Sequence, residues 1–118
     1  PFTTGVYVRN IIGQSKSAFK MYDAMQQKKI ILMNLAKGIS GEETSKLIGK
    51  IIAMQVKLSA LKRAKIKEKD RDPHYLYVDE FQNYVSQSFE SIMSEARKYR
   101  LGLVVAHQYT DQLKQGGL

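Results

Sequence analysis

The chain carries the octapeptide YLYVDEFQ at residues 75–82. Its apolar first half suits a buried strand of a parallel sheet, and two carboxylates, Asp79 and Glu80, follow directly. Because ligands of open α/β sheets bind at the carboxyl ends of the strands, both side chains are expected to face a ligand crevice. The pattern is typical of a Walker B strand, in which Asp79 holds Mg²⁺ and Glu80 activates the attacking water. The simpler alternative is an exposed Asp-Glu pair that only closes a strand.

A second apolar run, LGLVVAHQ at residues 101–108, also ends in a polar residue. Helical periodicity between the two runs predicts strand, helix and strand joined by a right-handed parallel crossover. Glu80 and Gln108 are then expected at the same edge of the sheet. An amide there would sense the terminal phosphate or the attacking water. A glutamine that only satisfies a strand end fits equally well.

The helix between these strands is predicted from a cap, an apolar face and a stop signal. Capping groups favour the first residue, basic residues favour the last turn, and glycine follows the end. The residues concerned are Ser86 as the cap, Phe89, Ile92, Met93 and Ala96 as the face, Lys98 and Arg100 in the last turn, and Gly102 as the stop.

Two shorter elements are predicted near the start of the chain. Residues 17–27 favour a helix, because Phe19, Tyr22 and Met25 recur at a spacing of three. Residues 29–35 contain four consecutive apolar side chains, which suits a buried parallel strand better than a surface helix.

A long helix is predicted from Glu42 to about Lys65. Ser40 and Glu43 have the spacing of a capping box at its start, and Pro73 stops any helix before the octapeptide. Such a helix is expected to cover the sheet with its apolar face. That face comprises Leu47, Ile51, Met54, Leu58 and Leu61, widened by Ile48, Ile52 and Val56.

Composition limits the remaining possibilities. The 118 residues suit one domain or part of one. They contain no apolar run of about 18 residues, no secretion signal and no cysteine, which together favour a cytoplasmic location. The formal charge of +8 is concentrated in residues 57–71 and at Arg97, Lys98 and Arg100. This charge predicts contacts to nucleic-acid phosphates, although a charge balanced elsewhere in a longer protein explains it equally well.

The phosphate-binding loop that accompanies a Walker B strand is missing from the sequence, since no Gly-x-x-x-x-Gly-Lys-Ser/Thr pattern occurs. Gly49 and Lys50 are no substitute, because isoleucine follows the lysine and the pair lies in a helical pattern. Residues 1–118 are therefore interpreted as the C-terminal part of a larger motor domain, with its P-loop upstream. By itself the chain is expected to bind ATP poorly and not to hydrolyse it.

Several segments resemble the FtsK/HerA-like P-loop ATPases, and within them the conjugative coupling and type IV secretion ATPases of bacteria. The resemblance covers roughly residues 28–113. It rests on four segments whose order and spacing agree with the family: IILMNLAKG followed by Gly41-Glu42, YVDEFQN at 77–83, SEARKY at 94–99, and VAHQ at 105–108.

This resemblance implies a mostly parallel α/β sheet flanked by helices, in a RecA-like core that hydrolyses Mg-ATP between the subunits of a hexameric ring. The translocated substrate would be DNA or a DNA-protein complex, and secretion-channel or relaxase proteins are implied as partners. Coupling proteins commonly sit on the cytoplasmic face of the inner membrane. Arg97 or Arg100 is a candidate arginine finger acting on a neighbouring subunit.

Two alternatives remain open from the sequence. Superfamily 1 helicases also use Asp-Glu-Phe-Gln, but Asn83 and Tyr84 stand where those enzymes usually have Asp-Thr, and Ala106-His107-Gln108 replaces their Gly-Asp-x-x-Gln motif. The other alternative is a degenerate, non-catalytic module that binds nucleic acid or a secretion partner through its basic face.

Overall fold

A pair of parallel strands forms the centre of the domain in the computed structural model, which describes residues 19–36, 38, 41–84 and 87–107. Strand β1 is His74–Val78 and strand β2 is Leu101–Val105, paired in register from His74 opposite Leu101 to Val78 opposite Val105. The predicted parallel strand-helix-strand unit is confirmed. The described part of the chain is thus a small α/β domain with a two-stranded parallel sheet.

Three α-helices and four short 3₁₀ turns complete the described elements. The α-helices are α1 (Met21–Gln26), α2 (Glu42–Leu61) and α3 (Gln87–Glu95), and the 3₁₀ turns are Lys62–Lys65, Glu68–Asp70, Phe81–Asn83 and Ala96–Tyr99. Helices α2 and α3 are tied together by Lys57, whose ammonium donates a hydrogen bond to Ser91 and lies 3.7 Å from a Glu95 carboxylate oxygen. Among the described residues, no helix is long and apolar enough to cross a membrane.

Helix α2 begins at Glu42, as the sequence predicts. Its N-cap is Gly41, with φ 83°, and the predicted capping residue, Ser40, lies outside the described residues. The α-helix ends at Leu61 and continues as a 3₁₀ turn to Lys65, close to the predicted end.

The buried face of α2 matches the predicted apolar face only in part: Val56 is buried as predicted, but the other buried residues are not those of the predicted face. Small side chains occupy most of it, which lets neighbouring elements approach the helix closely, while Leu58 is 45% exposed. The buried residues are Ser45, Gly49, Ala53, Val56, Ser59 and Ala60. A periodicity prediction picks out the most hydrophobic positions, which here are the larger residues. Burial depends instead on which side chains fit between the helix and the sheet.

Helix α1 lies within the predicted range, and residues 17–18 are outside the described part. Met25 is buried as predicted, but Phe19 is 47% exposed, and Met21 and Ala24 take part in the core instead. In α3 and the following turn, Phe89 and Ala96 are buried as expected. Ser86 and the side chains of Ile92 and Met93 are outside the described part.

The helical segment before β2 is terminated by Arg100, not by Gly102 as the sequence predicts. Arg100 adopts the left-handed conformation with φ 56°, after the 3₁₀ turn that ends at Tyr99. Gly102 instead lies inside β2, where the ring of Tyr75 covers its Cα so closely that a Cβ would stand 2.6 Å from a ring carbon. The glycine therefore serves close packing between strands rather than helix termination.

The predicted strand at residues 29–35 is wrong. The segment has no regular structure and pairs with neither strand, and Ile30 and Leu32 are 90% and 91% exposed. A parallel strand requires a hydrogen-bonding partner along its edge. Here a groove of about 1400 Å³, lined by residues 28–33 and by β1, separates the segment from that edge.

A buried arginine joins the beginnings of the two strands. The Arg63 side chain is only 1% exposed, and its guanidinium donates to Gln26 Oε1 at 3.0 Å, to the Asp72 carbonyl at 2.8 Å and to the Tyr99 carbonyl at 3.2 Å. Burial lowers the pKa of Arg63, and the Asp72 carboxylate opposes that shift. One side chain thus connects α1 to the residues that precede β1 and β2.

Arg71 makes a second, more exposed link at the same end. Its guanidinium donates to the carbonyls of Arg63, Ile66 and Lys98, at 3.0, 2.9 and 2.8 Å. It also lies over the ring of Tyr99, 5.2 Å from the centroid. The basic segment after α2 is therefore held against the turn that precedes β2.

Replacing Arg63 with methionine is expected to lower the free energy of unfolding by about 2–4 kcal/mol, because three hydrogen bonds made by a buried guanidinium are lost. Urea denaturation measures this change. Lys65→Met, at an exposed position of the same 3₁₀ turn, is the control and should stay within about 0.5 kcal/mol of wild type. Equal effects of the two substitutions would contradict the role assigned to Arg63.

Candidate functional site at the carboxyl end of the sheet

Asp79 and Glu80 directly follow β1, at the edge where the sequence places them. Asp79 is exposed, and one of its carboxylate oxygens accepts the Glu80 N–H at 2.9 Å. Glu80 has left-handed backbone angles, φ 54° and ψ 42°, and is half-buried. Such angles are uncommon for residues other than glycine, so the chain here turns sharply away from the strand direction.

The sharp turn is held from both sides. The Ala106 N–H donates to the Val78 carbonyl and the Phe81 N–H donates to the Ala106 carbonyl, each at 3.0 Å, so pairing of the two strands extends past their ends. The ring of Phe81 is buried edge-on against Phe89 of α3, with centroids 5.3 Å apart. These contacts fix the backbone on both sides of the two carboxylates.

Two nearby side chains interact with the Glu80 carboxylate: Gln82 by a hydrogen bond and Tyr84 electrostatically. Gln82 Nε2 donates to a Glu80 carboxylate oxygen at 2.7 Å. Burial raises the pKa of the Tyr84 phenol, and the negative charge of Glu80 raises it further, so Tyr84 stays neutral at physiological pH. Neither residue has a role that the sequence predicts, although Gln82 lies within the octapeptide.

Helix α2 contacts this site through Gly49. A Cβ at this position would stand 2.2 Å from a ring carbon of Tyr84, so only glycine allows the ring to lie against the helix. The sequence marks Gly49 only as a glycine that does not fit a phosphate-binding loop. Its contribution in the structure is a close approach that lets the Tyr84 ring lie against α2.

The carboxylates stand at one end of the groove described above. Most residues that line it come from three places: the segment that follows α1, the small-residue face of α2, and β1 with the turn after it. Met21, Phe89 and the Asp72-Pro73 pair complete the lining. In β1, the His74 N–H bonds to Arg100 and the Val78 carbonyl accepts from Ala106. The polar backbone groups of Tyr75 and Tyr77, between them, therefore point away from β2 and towards this groove.

None of the other predicted site residues lies beside Asp79 and Glu80 in the described part of the chain. Gln108 lies outside the described residues; His107, just before it, is exposed beyond the end of β2. Arg97 and Arg100 precede β2 and are exposed at the opposite end of the sheet. A five-residue strand is about 17 Å long, so these arginines are remote from the Asp79 and Glu80 of their own chain.

Among the described residues, no group of three or more His, Cys, Asp or Glu side chains could hold a metal ion. Mg²⁺ needs no such group, because proteins commonly bind it through one or two carboxylates together with substrate phosphates. The exposed Asp79 carboxylate, with only one oxygen engaged by the Glu80 N–H, fits that requirement.

Comparison of the chain with protein-family models, with curated proteins and with solved structures gives no match.

Replacing Gly49 with alanine is expected to destabilise the domain by about 1–3 kcal/mol, because the new methyl group overlaps the Tyr84 ring and the site is closely packed. Thermal or urea unfolding measures the loss. Gly38→Ala is a matched control, since an added Cβ there meets no atom within 4 Å. A Gly49→Ala variant as stable as wild type would show that Tyr84 is not held against α2.

Proposed function

We propose that the chain is part of an ATP-driven motor that moves DNA or a DNA-protein complex, with the RecA-like core of the FtsK/HerA-like ATPases. The observation that carries this proposal is the position of Asp79 and Glu80, which directly follow a strand at the carboxyl edge of a parallel pair. That edge is where α/β proteins bind nucleotides. The processes that such a motor would drive are conjugative transfer and type IV secretion.

In this proposal each carboxylate has its own task. Asp79 holds Mg²⁺, which when bound neutralises phosphate charge during hydrolysis. Glu80 accepts a proton from the attacking water, and its fixed backbone sets the direction of the side chain for that role. Gln108, two residues past Ala106 in the chain, senses the γ-phosphate. The phosphate-binding loop is supplied by a part of the protein other than these 118 residues.

In the proposed hexameric ring, Arg97 or Arg100 acts as an arginine finger on the nucleotide of a neighbouring subunit. Neither arginine reaches the site of its own subunit. Both arginines are exposed at the amino end of β2, away from Glu80 of the same chain. An arginine finger that acts on a neighbouring subunit's nucleotide has to lie on an outer surface, which both positions satisfy.

Hydrolysis of ATP by the full-length protein that contains this chain, with and without DNA, tests the proposal. Glu80→Gln is expected to lower kcat at least about 100-fold with little change in KM, because the base is lost while the amide keeps the shape of the side chain. Glu90→Gln, at an exposed position of α3, is the control and should leave kcat unchanged. Full DNA-stimulated turnover by the Glu80→Gln protein would contradict the proposal. Strand separation would instead favour the superfamily 1 helicase alternative.

A second candidate function, a non-catalytic nucleic-acid-binding module, is favoured by one observation. Lys65, Lys67 and Lys69 are exposed, and Arg71 holds their segment beside Lys98, which is also exposed. The two basic segments of the sequence therefore lie together at the amino end of the sheet. Binding there would be independent of Asp79 and Glu80, which distinguishes this candidate from a motor whose DNA contacts depend on nucleotide.

Binding of the 118-residue chain to a duplex of arbitrary sequence tests this surface. Changing Lys67 and Lys69 together to glutamine is expected to weaken binding and to reduce the slope of log K against log salt by about 2, one for each lost phosphate contact. The control changes Lys29 and Lys50 together to glutamine, which removes the same charge from exposed positions elsewhere. This variant should leave the slope of log K against log salt unchanged. Equal reductions in both variants would show that net charge, and not this surface, drives binding.

A further inference from the structure

Gln82 makes a directed contact with the candidate catalytic carboxylate. Its Nε2 lies 2.7 Å from Oε2 of Glu80, a short distance that suits a hydrogen bond to an ionised acceptor. The opposite orientation of the amide would set two oxygen atoms against each other, so the chemistry of the contact decides which end of the amide faces Glu80. The side chain therefore donates to Glu80 and leaves the other carboxylate oxygen, Oε1, without this contact.

Two features that disfavour folding coincide at this contact. Gln82 Oε1 is buried and has no hydrogen-bond donor among the described residues. Glu80 has left-handed backbone angles, which a residue with a Cβ rarely adopts. A leucine or methionine at position 82 is apolar and would avoid the unpaired oxygen. Departures of this kind from local rules concentrate at functional sites, where a specific geometry is needed.

We infer that Gln82 is a positioning residue that fixes the Glu80 carboxylate for its reaction with water. The inference rests on the proposed function, because it assigns a task to Glu80. The Gln82 amide restricts the rotation of the carboxylate by binding Oε2. Oε1 then remains directed for the proton of the attacking water, and the backbone turn at Glu80 sets the direction of the whole side chain.

The test is steady-state hydrolysis of ATP by the full-length protein with Gln82→Leu, together with its thermal unfolding. We expect kcat to fall by about 10- to 100-fold, the usual effect of losing a group that orients a catalytic side chain. KM should be unchanged, and Tm should be unchanged or higher, because the unpaired buried oxygen is removed. Gln55→Leu, at an exposed position of α2, is the control and should change neither kcat nor Tm. Gln82→Met provides a second apolar variant if the leucine variant does not fold.

A double-variant comparison shows whether Gln82 acts through Glu80. In a Glu80→Ala background, Gln82→Leu should change the residual rate by less than about twofold, because the carboxylate it positions is gone. A further loss of about 10-fold in that background would overturn the inference. A lower Tm with wild-type kcat would overturn it as well, since Gln82 would then have only a structural role.

The same measurements separate this inference from the proposed function. An inactive Glu80→Ala protein beside a fully active Gln82→Leu protein would overturn the role of Gln82 alone. Wild-type turnover in the Glu80→Ala protein, or no turnover in the wild type, would overturn the proposed function and the role of Gln82 with it.

Discussion

The structure depends on the burial of one positive charge. Arg63 loses nearly all contact with water, and within the described part of the chain its donors reach Gln26 and two backbone carbonyls rather than a carboxylate at ion-pair distance. Removing a guanidinium from water is costly, so these oxygens have to be in place. Two of them belong to Asp72 and Tyr99, which each precede a strand by a short step. Satisfying Arg63 therefore places the start of β1 beside the start of β2.

This constraint at one end of the sheet determines the geometry at the other. Parallel strands have no tight turn between them, so their register depends on contacts made elsewhere. Once His74 lies opposite Leu101, the ladder brings Val78 opposite Val105, and Ala106 bonds to the residues on both sides of the two carboxylates. The small residues of α2 then let Tyr84 close against Gly49. Asp79 and Glu80 are thus positioned by interactions more than a strand length away.

Sequence patterns were sufficient where a local cause decides the structure. The two strands and the start of α2 depend on apolar runs and on nearby breakers, and all three are where the patterns predict them. The apolar run at 29–35 has the composition of a strand, but its structure depends on whether a neighbouring edge is reached. The buried face of α2 depends on fit, which hydrophobicity does not report. The roles of Arg63 and Gln82 could not be predicted in this way, because each depends on which atoms the side chain reaches in the folded chain: Gln26 and two backbone carbonyls for Arg63, and the Glu80 carboxylate for Gln82.

The two ends of the sheet differ in how completely their polar groups are satisfied. At the amino end, Arg63 and Arg71 donate hydrogen bonds to the backbone carbonyls of Ile66, Asp72, Lys98 and Tyr99. At the carboxyl end, Glu80 has an unfavourable backbone conformation and Gln82 buries an oxygen without a donor among the described residues. Left-handed backbone angles alone do not distinguish the second end, because Arg100 at the first end and Lys28 share them. What distinguishes Glu80 is that the side chain bound to its carboxylate also carries the buried oxygen without a donor among the described residues. A cost of this kind beside one carboxylate is the pattern expected when a side chain is held in place for chemistry rather than for folding.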